Sequence, residues 1–207
     1  MSDKTQLEIH LQQDIDTIKS KIKEMGSLAE TALNNSFSAF LNNNGQLAYS
    51  VILLDRKIDE LEKEIDHLCL EFLIRQHPAA SLLRFVYASI KVNLELERVG
   101  DYAESVARRS LVVNSLKIDI DFSQFEAINK ASVSMLNNSI QAFINQDKDL
   151  AATTMLEQRE VSRLRDKIND DLFVLASSNK IPITALTPLQ TIARRLERVA
   201  DQSKNIC

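Results

Sequence analysis

Apolar residues recur three and four positions apart along almost the whole of this 207-residue chain, and only 3 Gly and 3 Pro interrupt them. That spacing is the signature of helices burying one face, and so few breakers leave no room for the turns of a sheet protein. Aromatic residues are 5% of the total, and Leu, Ile, Ala, Glu, Lys, Ser and Asn dominate. The fold class expected is all-α.

The few turn signals cut the chain into six helices. The first is expected from about Leu7 to Asn42, stopped by Asn42-Asn43-Asn44-Gly45. The second starts near Gln46 and carries the seam Leu54, Ile58, Leu61, Ile65, Leu68, Phe72 up to His77-Pro78. Pro78 is then suited to be the first residue of the third helix, which repeats Phe85, Ser89, Val92, Leu96, Val99, Ala103 and Val106 along one face. Ser123 followed by Glu126 has the pattern of a capping box and opens helix four, to about Asn145. Helix five runs from about Asp147 to Ser177, and Thr187-Pro188 is expected to begin helix six.

The last three helices repeat the first three. A shift of 103 places Phe40 on Phe143, Leu47 on Leu150, Leu61 on Leu164 and Ile65 on Ile168, and a shift of 100 places Leu96-Glu97-Arg98-Val99 on Leu196-Glu197-Arg198-Val199. Two tandem three-helix bundles follow, residues 7–115 and 121–207, with the boundary between about Leu116 and Phe122.

The chemistry concentrates in the best internal match, Leu-Glu-Arg-Val-Gly-Asp at 96–101 against Leu-Glu-Arg-Val-Ala-Asp at 196–201. In each copy the Glu and Asp stand four apart, on a face beside the seam. Asp55 and Asp59 in helix two have the same spacing. If helices two and three pack side by side, Asp55, Asp59, Glu97 and Asp101 converge on one strip, an oxygen-rich site for iron, manganese, magnesium or zinc. The competing reading is a solvated acidic face matched by Arg56, Lys57 and Arg98.

The net charge is −4, with the basic residues dispersed, which argues against a nucleic-acid partner. Cys69 and Cys207 lack metal or redox spacing and read as reduced thiols, Cys69 as packing beside the seam. Met1 to Glu8 is polar, and no apolar run reaches the roughly 18 residues of a membrane span. A cytoplasmic location is therefore expected. His10, His67 and His77 are scattered and read as surface or capping residues.

Asp55-Arg56-Lys57-Ile58-Asp59, Arg75-Gln76-His77-Pro78, Leu83-Arg84 and the doubled Leu-Glu-Arg-Val-x-Asp, closing on Asn205-Ile206-Cys207, together resemble the PhoU family of phosphate-signalling regulators. The resemblance implies two three-helix bundles that self-associate as homodimers, and a cytoplasmic role restraining the phosphate-starvation response. The implied partners are the ATPase of the phosphate transporter and a membrane sensor histidine kinase. It also implies metal clusters, iron or zinc ahead of manganese or magnesium, held by Asp55, Asp59, Glu97 and Asp101 in the first repeat and by Glu197 and Asp201 in the second. There Gln158 and Ser162 replace the first repeat's aspartates. Arg84 matches an arginine of the family pattern and is a candidate regulatory contact.

An enzyme reading would be a carboxylate-bridged di-metal oxidase. That site needs two Glu-x-x-His motifs, and only Glu64 to His67 has the spacing. Phosphate-cradling glycine loops and nucleophile elbows are absent from the sequence, so no enzyme is expected. A metal-free helical adaptor is the third reading, and it leaves the doubled acidic motif unexplained. The seam of helix six still runs through Val199, Ser203 and Ile206 as the sequence reaches Cys207, so the native polypeptide is expected to continue.

Overall fold

The computed structural model describes residues 6–118 and 120–207, without the side chains of Gln6 and Leu7. The reading of the polar first residues thus lies mostly outside the described chain, as does Asp119 within the expected boundary. Six helices are formed, α1 (Gln6–Leu41), α2 (Gly45–Gln76), α3 (Ala80–Leu116), α4 (Ser123–Asn145), α5 (Lys148–Ser177) and α6 (Ile183–Ile206). None is long and apolar enough to cross a membrane.

The ends follow local chemistry. Asn44 caps α2 by accepting from the Leu47 N–H, and Asp147 caps α5 by accepting from Asp149 and Leu150, satisfying donors that the first turn leaves free. Helix α4 starts at Ser123 as expected, but two other starts and its cap are corrected. Pro78 is not the first residue of α3: His77 closes α2 in the left-handed region (φ 43), and α3 starts only after the extended Ala79. Ser123 and Glu126 form no capping box. The residue before α4 is Phe122, and Ser123 instead gives both its N–H and its hydroxyl proton to Asp121. Helix six begins before Thr187, at Ile183 behind Pro182, which leaves Pro188 inside it. Burying Ala185 and Leu189 draws that earlier turn onto the core, and Pro188, the sixth residue of the helix, leaves the Thr184 carbonyl without its i→i−4 donor.

Helices α1, α2 and α3 pack against one another, as do α4, α5 and α6; α3 on α6 and α1 on α4 join the two triplets, and their buried side chains form one continuous core. The seam residues Ile58, Leu61, Ile65 and Phe72 are buried, with Leu54 and Leu68 partly so. Cys69 is buried as expected, and burial pushes its thiol up to about 12. Gly26 lets α1 meet α4, since a Cβ there would stand 2.6 Å from Ile140 Cδ1.

The α3–α6 contact is symmetric about its centre. Gln202 Nε2 donates to Tyr102 Oη at 3.2 Å, a pair of residues that the 100-residue shift exchanges. To either side, Arg195 donates to Ser105 (3.1 Å) and Asn205 donates to Glu95 (3.2 Å), and the same shift turns one pair of positions into the other. A local two-fold axis therefore relates the bundles.

Candidate functional site

Helices α2 and α3 approach closely because Gly100 has no side chain. A Cβ there would lie 2.9 Å from Ile58 Cδ1 and 3.4 Å from Asp55 Oδ1. This brings Asp55 and Asp59 on α2 beside Glu97 and Asp101 on α3, as the spacing predicts. Glu62 and Glu104 also bear on them, so six carboxylates share the strip.

Their charges are poorly compensated. Asp55 is pushed up to about 6 by burial, then by Asp59, Glu104 and Asp101. Glu97 rises to about 7 through burial, then Asp101, Glu62 and Asp59. Asp101 is raised by burial, Glu104 and Asp59. Among the described residues, Asp55, Asp59, Glu97 and Asp101 make no side-chain hydrogen bond or ion pair, because the nearby cations are engaged elsewhere. Arg98 turns back to Glu95 at 3.2 Å, and Arg108 binds Glu104 at 2.6 Å. No three His, Cys, Asp or Glu side chains among the described residues surround one point as metal ligands would. Repulsion among these like charges opposes their closer approach.

The second repeat is wired differently. Gln158 donates to Asp201 (2.9 Å), Ser162 donates to Glu197 (2.9 Å), Arg165 pairs with Glu197 (3.1 Å) and Arg198 pairs with Asp201 (3.1 Å). By the repeat shifts, Gln158 stands for Asp55, Ser162 for Asp59, Arg165 for Glu62 and Lys204 for Glu104. Arg195 stands for Glu95, so Arg198 lacks the acid that draws Arg98 away and turns to Asp201 instead. Glu197 and Asp201 are thus brought together, but with donors already on them.

Sequence reasoning missed Glu62, Glu104 and Arg165. The 103-residue shift that carried Asp55 onto Gln158 would have shown Glu62 against Arg165. Arg84 is exposed, makes no ion pair among the described residues, and lines a cleft with Phe85, Phe143 and Asp147. Glu64 pairs with Lys21 and His67 with Glu71, so the lone Glu-x-x-His builds no site.

Two helical bundles repeated in tandem, with an acidic motif on a margin of each, define a class of all-α two-repeat proteins. The PhoU domain pattern matches residues 22–110 and 126–207, and the chain belongs to the PhoU family, whose members are accessory regulatory proteins and not enzymes. It is 33% identical to the phosphate-specific transport system accessory protein PhoU of Serratia marcescens, over 94% of this chain and 80% of that one. The Escherichia coli protein of the same description is 30% identical over the same shares. The crystal structure of PhoU from Pseudomonas aeruginosa superposes with a TM-score of 0.90 at 28% identity, covering 94% of both chains. The phosphate transport system regulatory protein PhoU from Streptococcus pneumoniae, at 23% identity and a TM-score of 0.88, shares the fold.

Proposed function

We propose that this chain restrains phosphate uptake and phosphate-starvation signalling in the cytoplasm, as a homodimer of two-repeat subunits (7–115 and 121–207) that contacts the phosphate transporter's ATPase and the sensor histidine kinase. Membership of a family of phosphate transport accessory proteins supports this role. Arg84, exposed beside the α4–α5 turn, is a contact point for such a partner.

The acidic strip adds a metal to the reading. Its donor set is all oxygen, lacks hydrogen-bond donors and holds carboxyls above their ordinary range, which is the chemistry a hard or borderline cation relieves. Asp55, Asp59, Glu97 and Asp101 would hold the ion, iron or zinc first, manganese or magnesium next. Glu197 and Asp201 would bind more weakly, since Gln158, Ser162, Arg165 and Arg198 already occupy their oxygens. The carrying observation is this contrast between an uncompensated strip and a compensated one.

Elemental analysis of protein purified without chelator, on the natural sequence and on Glu97→Ala/Asp101→Ala, tests it. Metal content should fall in the double variant while helicity is kept, because neither residue lies on the packing seam of Leu96, Val99 and Ala103. Unchanged metal content would remove the metal from the proposal. Pull-down with the transporter ATPase and with the kinase tests the regulatory part separately.

A further inference from the structure

Contacts between the helices set them in two layers. Helix α1 touches α2, α3 and α4, so it lies behind the groove between α2 and α3, and α4 lies in the same way behind the groove between α5 and α6. The front is a face of four helices in the order α2, α3, α6, α5. Its middle pair is antiparallel, since Arg195 meets Ser105 while Asn205 meets Glu95. With α1 filling the back of the α2–α3 groove, the acidic strip runs along the front, and its counterpart runs along the front of the α5–α6 groove.

The two halves of this face differ in charge. In the first, six carboxylates stand against Arg98 and Arg108, both already turned to acids. In the second, Arg165, Arg194, Arg198 and Lys204 outnumber Glu197 and Asp201. Arg194 replaces Leu94 and Lys204 replaces Glu104; both are exposed, and neither makes an ion pair among the described residues. Each half is left with charge of one sign that nothing within the chain answers.

The local two-fold axis makes the halves complementary across two molecules. It passes at Tyr102 and Gln202, near the level where Gly100 meets Ile58, so the strip and its counterpart flank it at one height. A second copy turned by 180° about a line parallel to α3 and α6 lays its α5–α6 groove on the first copy's α2–α3 groove, and the reverse contact forms at the same time. Turned about a line across the helices, it would set acid on acid. An isologous pair therefore satisfies both halves in the first orientation and neither in the second. Four adjacent helices about 10 Å apart also offer more than the roughly 800 Å² per subunit that a stable pair buries.

We propose that this face is the chain's self-association surface, on which a second copy docks front to front with the acidic half of each over the basic half of the other. This rests on the homodimer reading above and gives that dimer its surface and its axis.

Sedimentation of the intact chain in chelator, at about 50 mM salt where screening is weak, measures the pair apart from any metal. A dimer is expected below about 100 µM, at least about tenfold weaker in about 0.5 M salt. Arg194→Glu with Lys204→Glu makes the second half acidic, and Asp59→Lys with Glu62→Lys takes the acid excess from the first. Each double variant should pair with itself about tenfold more weakly, while an equimolar mixture, one variant labelled, should pair at least about fivefold more tightly than either alone. A chain still monomeric at about 100 µM removes the homodimer reading together with this surface. A dimer indifferent to salt and to both variants, or variants that gain nothing on mixing, keeps the homodimer reading and overturns this face. Species larger than a dimer would mean a head-to-tail contact and overturn the axis.

Discussion

The close approach at Gly100 sets up a double-mutant cycle. In the first repeat Gly100 faces the fully buried Ile58; at the equivalent positions the second repeat has Ala200 and Val161, also fully buried. One methyl group has moved from one helix to the other, so each pair fills a similar volume. Gly100→Ala alone sets a Cβ 2.9 Å from Ile58 Cδ1 and 3.2 Å from Cγ2. Overpacking of this kind costs about 1–3 kcal/mol, and better helix propensity returns about 1 kcal/mol. A net loss of about 1 kcal/mol is expected. Ile58→Val alone opens a small void, for about 1 kcal/mol. Together they remove the shortest contact and fill the void, so the double variant should lie within about 0.5 kcal/mol of the natural chain instead of about 2 below it, a coupling of about 1.5 kcal/mol. Urea unfolding of the four proteins in chelator measures it. Additive losses, within about 0.5 kcal/mol, would mean that Gly100 is not held by Ile58, and the account of how α2 and α3 approach would be wrong.

Glu97→Gln tests the strip without metal. Glu97 is raised from 4.5 to about 7, so the folded chain keeps a proton that the unfolded chain releases; stability is greatest below about 4.5 and falls as pH rises toward about 7. Solvent screening reduces the effect to about 1 kcal/mol, so the variant should melt about 2–4 °C above the natural chain at pH 8 in chelator and little differently at pH 5; equal melting at pH 8 would refute the repulsion. Gln158→Asp with Ser162→Asp removes two of the donors to Glu197 and Asp201, leaving Arg165 and Arg198, and should cost about 2 kcal/mol in chelator while raising manganese uptake by equilibrium dialysis. Arg195→Met takes away the hydrogen bond to Ser105 and the stacking on Tyr102 at 5.3 Å. The expected loss is about 1–2 kcal/mol by thermal melting.

Helix number and order were legible because burial of one face imposes a period on the sequence, and the acids of α2 and α3 were legible because seam residues beside them fix their face. Helix starts were less so. Ser123 has the letters of a cap, but Asp121 two residues earlier offers a charged acceptor that takes both its protons, a choice that depends on how the linker bends. Pro188 looked like a first residue because the buried Ala185 and Leu189, which bring the helix forward, are small or widely spaced in the pattern. In the site, the motif drew attention to Glu97 and Asp101, whereas the electrostatic difference between repeats lies in Glu62 against Arg165 and Glu95 against Arg195, outside any motif. The fate of Arg98 and Arg198 depends on those neighbours and is visible only once side chains are placed.

The hydrogen bond from Gln202 to Tyr102 lies on the axis that exchanges the two bundles, so α3 and α6 meet as two separate copies of one half would meet in an isologous pair. Two free halves would associate only as far as their concentration allowed. Here the linker holds the partner at a fixed, high effective concentration, so the pairing does not weaken on dilution. In a symmetric pair, any change on one surface is imposed on both. Within one chain the two surfaces are encoded separately, so Arg165 and Lys204 can neutralise one margin while the other keeps all six of its acids.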